Sequence, residues 1–422
     1  MKFALAGYGT RGDVEPCVAV GRELLRRGHE VRIAVPPDQV GFAESAGLAA
    51  VAYGLDTRAW LDVHRDFWTR FFRNFWNIPY LIRLWRELWE PFNQCVEEIS
   101  PTLTSLAGWA DLLFTGLLFE QQAVNVAEYH GIPLATHHIF PVRAKGYFVP
   151  TRSAPLRRFA MTVFWWVSRR KQKKAEDAQR RELGLPKTTG RSSRRIVERG
   201  WLEIQAYDEV CCPGLAAEWG KWSGLRPFVG TLTMESPTDA DEEIASWIAA
   251  GTPPIYFGFG SIPVPSPADT LAMIGTVCAQ LGERALVCSG WSDYGDVPHW
   301  EHVKVVRAVN HTATFPACRA VVHHGGAGST AAGLRAGVPT LILWFHSDQP
   351  YWGGRVKRLK VGTARGFSSL TRESLAADLR TILAPQYASR AREIATRMTK
   401  PAASVAKAAD LMENLARIRR IG

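Results

Sequence analysis

The residues from Arg319 to Val356, RAVVHHGGAGSTAAGLRAGVPTLILWFHSDQPYWGGRV, hold two groups whose types and spacing could do chemistry. Val321 and Val322 close a short apolar strand. His323, His324 and the small residues Gly325 to Gly328 then turn into a helix predicted to open at Ser329. A helix start of this kind leaves backbone N–H groups unpaired at the positive end of the helix dipole, which makes a seat for a diphosphate. After the next apolar run, Pro339 to Trp344, comes an acid–amide pair, Asp348 and Gln349. Ligands of open parallel sheets collect beyond the carboxyl ends of the strands. One loop therefore offers a place for a diphosphate and the next offers groups that bind hydroxyls, a pairing that suits a sugar nucleotide.

A second candidate lies at the amino terminus. GYGTRG, Gly7 to Gly12, follows an apolar strand and has the spacing of a dinucleotide-binding loop. Two details count against that reading. Asp13 puts a carboxylate where a pyrophosphate would rest, and the second strand ends Val35-Pro36-Pro37 with no acid to hold a ribose. Spacing alone leaves Asp13 with two roles, a general base in an enclosed loop or a cap on a helix beginning near Glu15. Thr10 and Arg11 stand beside it. The fork of Arg11 suits a phosphate, and a surface arginine is the plainer reading.

These loops need a scaffold of strands and helices. Lys2 to Ala6 and Val31 to Val35 read as strands around a helix from Glu15 to Arg27 that Gly28 stops. Asp111 to Thr115 and Ile132 to His138 read as strands around the helix Glu120 to Tyr129. The second half repeats the alternation with strands at Pro254–Phe259, Arg284–Cys288, Val303–Arg307, Ala320–Val322 and Thr340–Leu343. Such alternation predicts an α/β protein with two Rossmann-like domains. The expected division is residues 1–215, a linker at 216–240 rich in Pro, Gly and acids, a second domain at 241–390, and a helical tail at 391–422.

The chain has 422 residues, enough for two cores. It has no run of eighteen uncharged apolar residues, and the apolar start MKFALAGYGT is too short for a signal peptide, so a cytoplasmic protein is expected. The seven cysteines show no C-x-x-C spacing and read as reduced thiols. A net charge of +11 favours anionic partners. Nothing resembles a nucleic-acid module, so no nucleic-acid partner is expected. Asp239 and Asp241 form an Asp-x-Asp among other linker acids and follow no strand, and no metal is expected there.

HHGGAGST followed by RAGVPTLILWFHSDQPYWGGRV, together with GTRGDVEP at Gly9 to Pro16, resembles the signatures of family 1 glycosyltransferases of the GT-B fold. The likeness is greatest to the bacterial branch that decorates glycopeptides, sterols and lipids, glycopeptidolipids among them. It implies two Rossmann-like domains facing a cleft, a tail helix returning to the first domain, and inverting transfer with neither metal nor cofactor. It makes Asp13 the base, with Thr10 and Arg11 near the diphosphate. It gives Ser261 of GFGSI a hydroxyl contact to the diphosphate, His324 a ring nitrogen donating to a phosphate oxygen, and Gly326, Ala327, Gly328 and Ser329 the backbone cradle. Val309 to His311 would meet the nucleotide base, with Trp291 as a wall of that pocket, and Asp348 and Gln349 would hold sugar hydroxyls. The plain alternatives are a tight turn at Ser261 and ordinary core packing for Trp291 and His323.

Aromatics crowd the stretch from Trp60 to Phe92, with Trp68, Phe72 and Trp76 at helical spacing and Arg65, Arg70 and Arg73 between them. Phe164-Trp165-Trp166 is followed by Arg169, Arg170, Lys171, Lys173 and Lys174. Aromatics with basic neighbours suit a bilayer interface, and a core face is the alternative. The reading expects Trp68, Phe72, Trp76 and His138 at an acceptor site, a UDP- or dTDP-sugar as donor, a lipophilic acceptor such as a cell-envelope glycolipid, and peripheral contact with the inner face of the membrane. The alternatives are a sterol or natural-product glucosyltransferase, a nucleotide-sugar-binding protein without turnover, and an NAD(P)-dependent oxidoreductase.

Overall fold

A computed structural model of the protein describes residues 1–57, 78–144, 170, 172–235, 237–292, 294 and 300–421. The chain forms two compact units. One gathers Met1–Gln205, Trp219–Pro227 and Val405–Gly422, and the other Ala206–Glu218 and Phe228–Ser404. Each unit has its own six-stranded sheet.

In the first unit the strands are β1 (Lys2–Ala6), β2 (Glu30–Val35), β3 (Ala49–Ala52), β4 (Leu112–Thr115), β5 (Leu134–His138) and β6 (Leu202–Gln205). They lie in the order β3-β2-β1-β4-β5-β6, every pair parallel. In the second they are β7 (Ile255–Gly258), β8 (Ala285–Cys288), β9 (Val303–Val306), β10 (Ala320–His323), β11 (Thr340–Trp344) and β12 (Gly362–Gly366). Their order is β12-β11-β10-β7-β8-β9, again all parallel. The central strands are continuous buried runs, as a sheet covered by helices on both faces requires. The winding reverses between β1 and β4 in one unit and between β10 and β7 in the other. Loops leaving the two strands at such a point diverge and open a crevice.

Several boundaries differ from the sequence reading. The first helix, α1, runs over Arg11–Arg26 and takes Asp13 into its first turn. The helix after β10 opens at Ala327, two residues before Ser329. The stretch expected to link the domains is divided between the units. Residues 206–218 stay with the second, while 219–227 return to the first, where the amides of Glu203 and Gln205 donate to the carbonyls of Leu225 and Pro227. The tail also divides later than expected. The helix Pro385–Ala395 belongs to the second unit, and the chain joins the first only from Val405. There Arg27 pairs with Asp410 at 2.6 Å and His29 with Glu413 at 2.8 Å.

A buried ionic cluster ties β5, β6 and the returning segment together. Glu203 is fully buried and accepts from Arg143 at 2.6 Å and from Arg226 at 2.7 Å. Arg143 also grips Glu120 at the start of helix α2 (Glu120–His130), and His138 Nε2 donates to the same carboxylate at 3.0 Å. Burial alone would raise the pKa of Glu120, but Arg143 and His138 hold it down at about 2. All seven cysteines are buried and free of disulfides. Among the described residues no helix is long and apolar enough to cross a membrane.

Candidate active site

The carboxyl ends of the second sheet bring together the residues singled out in that half. β10 ends at His323, and Gly325, with φ at +96°, turns the chain towards Gly326, which is the N-cap of helix α3 (Ala327–Ala336). A Cβ at Gly325 would lie 2.7 Å from Ile342 Cγ2, so neither the turn nor the space admits another residue. No side chain caps the helix. The amide of Thr330 returns to Gly326 O at 2.9 Å, which leaves the amides of Ala327, Gly328 and Ser329 without partners inside the helix.

His324 is half-buried beside this opening. Its Nε2 stands 2.6 Å from where a Cβ of Gly326 would be, and its Cε1 3.0 Å from that of Gly260. The loop after β7, carrying half-buried Ser261, is thus packed on the histidine ring. Trp291, in the loop after β8, donates its amide to Gly260 O at 3.3 Å. After β9, Val309 is half-buried, and the ring of His311 stacks on Phe315 with centroids 4.4 Å apart. Burial, helped by His311 and His346, pushes the pKa of His324 down to about 4. The ring is therefore neutral at pH 7, with Nδ1 buried and without a hydrogen-bond partner among the described residues.

The acid–amide pair follows β11 at the start of helix α4 (Gln349–Leu359). Gln349 is buried, and its Oε1 accepts the amides of Phe345 and His346 at 2.8 and 3.2 Å. Only its Nε2 donors remain for a ligand. Asp348 accepts from Trp352 Nε1 at 3.1 Å. Both residues hold their own loop as well as standing at the rim. Thr233 lay outside the sequence reading, since nothing in the linker composition marks it. Its methyl lies 3.7 Å from the Cβ position of Gly328, and Arg335 donates to its hydroxyl at 3.1 Å.

In the first unit the loop after β1 leads into α1. Asp13 Oδ2 accepts from the amide of Thr10 at 2.9 Å and from its hydroxyl at 3.0 Å. The two readings of Asp13 therefore coexist. It closes a capping box on its own helix, while Oδ1 takes no hydrogen bond among the described residues. Gly9, at φ +124°, makes room, since a Cβ there would lie 2.5 Å from Asp13 Oδ2. Burial raises the pKa of Asp13 to about 6 against the pull of the two Thr10 hydrogen bonds. A carboxyl group poised near neutrality has the basicity that proton abstraction needs.

The structure bears on three further expectations. The hydroxyl proton of Thr10 is already given to Asp13, so this side chain is not a free donor. Arg11 is exposed, with its guanidinium 4.5 Å from the ring of Phe42 and 3.9 Å from Glu15. His138 is fully buried and belongs to the ionic cluster, not to a surface. Trp68, Phe72 and Trp76 lie outside the described residues. Glu120, His138 and Glu203 bring potential metal-ligating atoms within 4.8 Å of one another, but Arg143 already bonds both carboxylates. Asp241 of the Asp-x-Asp accepts from Thr238 and Asn310 and begins a helix.

Two doubly wound units, each with a loop of chemical interest at its switch point, define the class of an α/β protein with paired Rossmann-like domains. Residues 3–149 match the glycosyltransferase family 28 N-terminal domain, and residues 270–418 match the erythromycin biosynthesis protein CIII-like C-terminal domain. An uncharacterized glycosyltransferase of Mycobacterium tuberculosis is 61% identical over the whole of both chains. The vancomycin aglycone glucosyltransferase of Amycolatopsis orientalis is 30% identical, with 96% of each chain covered. A sterol 3-beta-glucosyltransferase of Arabidopsis thaliana is 30% identical over 94% of this chain and 65% of its own. Among solved structures, the glycosyltransferase VinC in complex with dTDP superposes with a TM-score of 0.63 over the full length of both chains at 19% identity. The chain belongs to the family 1 glycosyltransferases and has their GT-B fold.

The raised pKa of Asp13 has a consequence for stability. The folded protein holds this proton up to about pH 6, whereas an unfolded Asp releases it near pH 3.9. The folded state therefore binds more protons between these values, and stability falls as pH rises through that window. Asp13→Asn has no proton to lose. The melting temperature of the variant relative to the parent is expected to rise from pH 4 to pH 7, and a difference that stays constant would show that Asp13 titrates normally.

Proposed function

We propose that the protein is an inverting, metal-independent glycosyltransferase. It moves a hexose or 6-deoxyhexose from a UDP- or dTDP-sugar to a hydroxyl of a lipophilic acceptor. The observation that carries the donor half is the uncapped start of α3 beside a neutral, partly unpartnered His324, both at the point where the second sheet reverses its winding. Amides and an imidazole N–H aimed at one place stabilise the charge that builds on a departing diphosphate. Asp13 takes the proton of the acceptor hydroxyl as that oxygen attacks the anomeric carbon from the face opposite the leaving group. That VinC, which shares the fold, was solved in complex with dTDP supports a nucleoside diphosphate as ligand.

The acceptor reading rests on the aromatic and basic stretches of the first half, whose composition suits a glycolipid or an anionic membrane surface. The sterol enzyme of Arabidopsis, whose acceptor is itself lipophilic by name, supports it. The vancomycin enzyme, matched over almost its full length, favours a second reading in which the acceptor is a natural-product aglycone.

Variants at three places test the proposal. Asp13→Asn should lower turnover by roughly two to four powers of ten, the range for loss of a general base, while donor affinity barely changes. The parent's kcat/KM should rise with pH through about 6 as the carboxylate forms. Near-parental turnover in the variant would remove Asp13 from the chemistry.

His324→Ala should weaken bare nucleoside diphosphate and sugar nucleotide alike, by about 1.5–3 kcal/mol, as loss of a hydrogen bond to a charged group does. Titration calorimetry with UDP and dTDP reads this directly. A loss confined to the sugar nucleotide would move His324 away from the diphosphate.

For the acceptor, Trp68→Ala with Trp76→Ala should leave nucleotide binding unchanged but depress transfer to a lipid acceptor. Salt should loosen binding to anionic vesicles, since each exposed charge contributes only about 1 kcal/mol there. A folded variant that transfers to lipid as well as the parent would favour the aglycone reading.

A further inference from the structure

His323 ends β10 with its side chain 1% exposed, and the chemistry above gives it no task. Its Nδ1 accepts the amide of Gly325 at 3.0 Å, so the neutral ring carries its proton on Nε2. Burial, with His324 and His311 nearby, pushes its pKa well below the ordinary histidine value and keeps the ring neutral. The Nε2–H is buried and has no hydrogen-bond partner among the described residues. An unpaired buried donor is a standing cost to stability. The aliphatic residues that fill the rest of β10, Ala320 to Val322, carry no such cost.

In return, the ring provides its bond to Gly325. Pairing between β10 and β11 stops at His323 with Ile342, and α3 starts only at Ala327. The amide of Gly325 falls in this gap, beyond the ladder and before the helix. Its positive φ and its contacts with Ile342 and Gln349 leave no room for a side chain that could brace the turn from within. The neighbouring ring does so from outside.

We propose that His323 is a positioning residue for the diphosphate seat. Through Nδ1 it holds the Gly325 turn, so that the amides of Ala327, Gly328 and Ser329 and the ring of His324 keep their aim. It does not touch the ligand. This rests on reading the loop as the seat of a nucleoside diphosphate.

The test compares UDP and dTDP affinities of the parent, His323→Asn and His323→Gln by calorimetry. The Asn amide oxygen comes near the place of Nδ1, whereas Gln carries its amide towards the place of Nε2. His323→Asn is expected to bind within about twofold of the parent. His323→Gln should bind about three- to tenfold more weakly, the worth of one hydrogen bond, with the acceptor KM unchanged. Equal affinities in the two variants, or a weaker Asn than Gln variant, would overturn the proposal. If either variant fails to fold, the nitrogen-15 spectrum of the parent's imidazole decides. Nε2 protonated and Nδ1 accepting is the expected state, and the opposite tautomer sinks the idea. A parent that binds neither nucleotide would instead bring down the reading of the loop, and this role with it.

Discussion

The first turn of an α-helix cannot satisfy its own amides, and in the second unit that deficit stands at the point where the sheet changes direction. β10 and β7 run side by side, and their following loops part beyond the sheet. The turn at Gly325 brings α3 into this opening with Gly326 at its N-cap and no side chain to fill the gap. Every other group at the rim is arranged around that feature. His324 is wedged between the Gly260 and Gly326 backbones, Trp291 is hung from Gly260, and Gln349 spends its carbonyl on its own loop.

The first unit begins from the same architecture and resolves the deficit differently. α1 follows β1, on the other side of the switch point from β4, and there Asp13 takes the N-cap amide of Thr10 itself. A helix start closed by its own carboxylate repels an anion, which removes the dinucleotide reading of GYGTRG on electrostatic grounds. The same carboxylate, half-buried and titrating near pH 6, is matched to abstracting a proton. One switch-point helix thus starts with uncapped amides beside a neutral histidine, while another starts closed by the carboxylate of Asp13.

Much of this was legible in the residues because central parallel strands are short, unbroken apolar runs. Phe3 to Ala6 and Val321 to Val322 declare themselves, and the loops behind them follow at once. The strands that escaped notice lie at sheet edges or carry polar residues. β3 is AAVA and β12 is GTARG, both poor in the branched residues that mark strands. β6, LEIQ, buries a glutamate and a glutamine that read as surface until Arg143 and Arg226 are seen around Glu203. His138 failed as a site candidate for the same reason. A histidine at the end of a strand looks available, and only the tertiary structure shows Glu120 already bonded to it. The spent hydroxyl of Thr10 and the spent carbonyl of Gln349 are hydrogen bonds within a loop, which residue types alone do not reveal.

The ionic cluster of the first unit explains where the chain crosses between its halves. Composition placed a plain linker at 216–240, but residues 219–227 carry Arg226, whose guanidinium bonds Glu203 and lies over Trp219 and Trp222. A buried carboxylate with one arginine fewer would be left partly uncompensated, at a cost of several kcal/mol. Glu203 therefore favours the return of this segment to the first unit before the chain enters the long stretch Phe228–Ser404 of the second. Arg143, the other arginine on Glu203, also holds Glu120 at the start of α2. One interior carboxylate thus fixes both the route of the crossing chain and the position of the helix that follows β4, the strand on the far side of the switch point from Asp13.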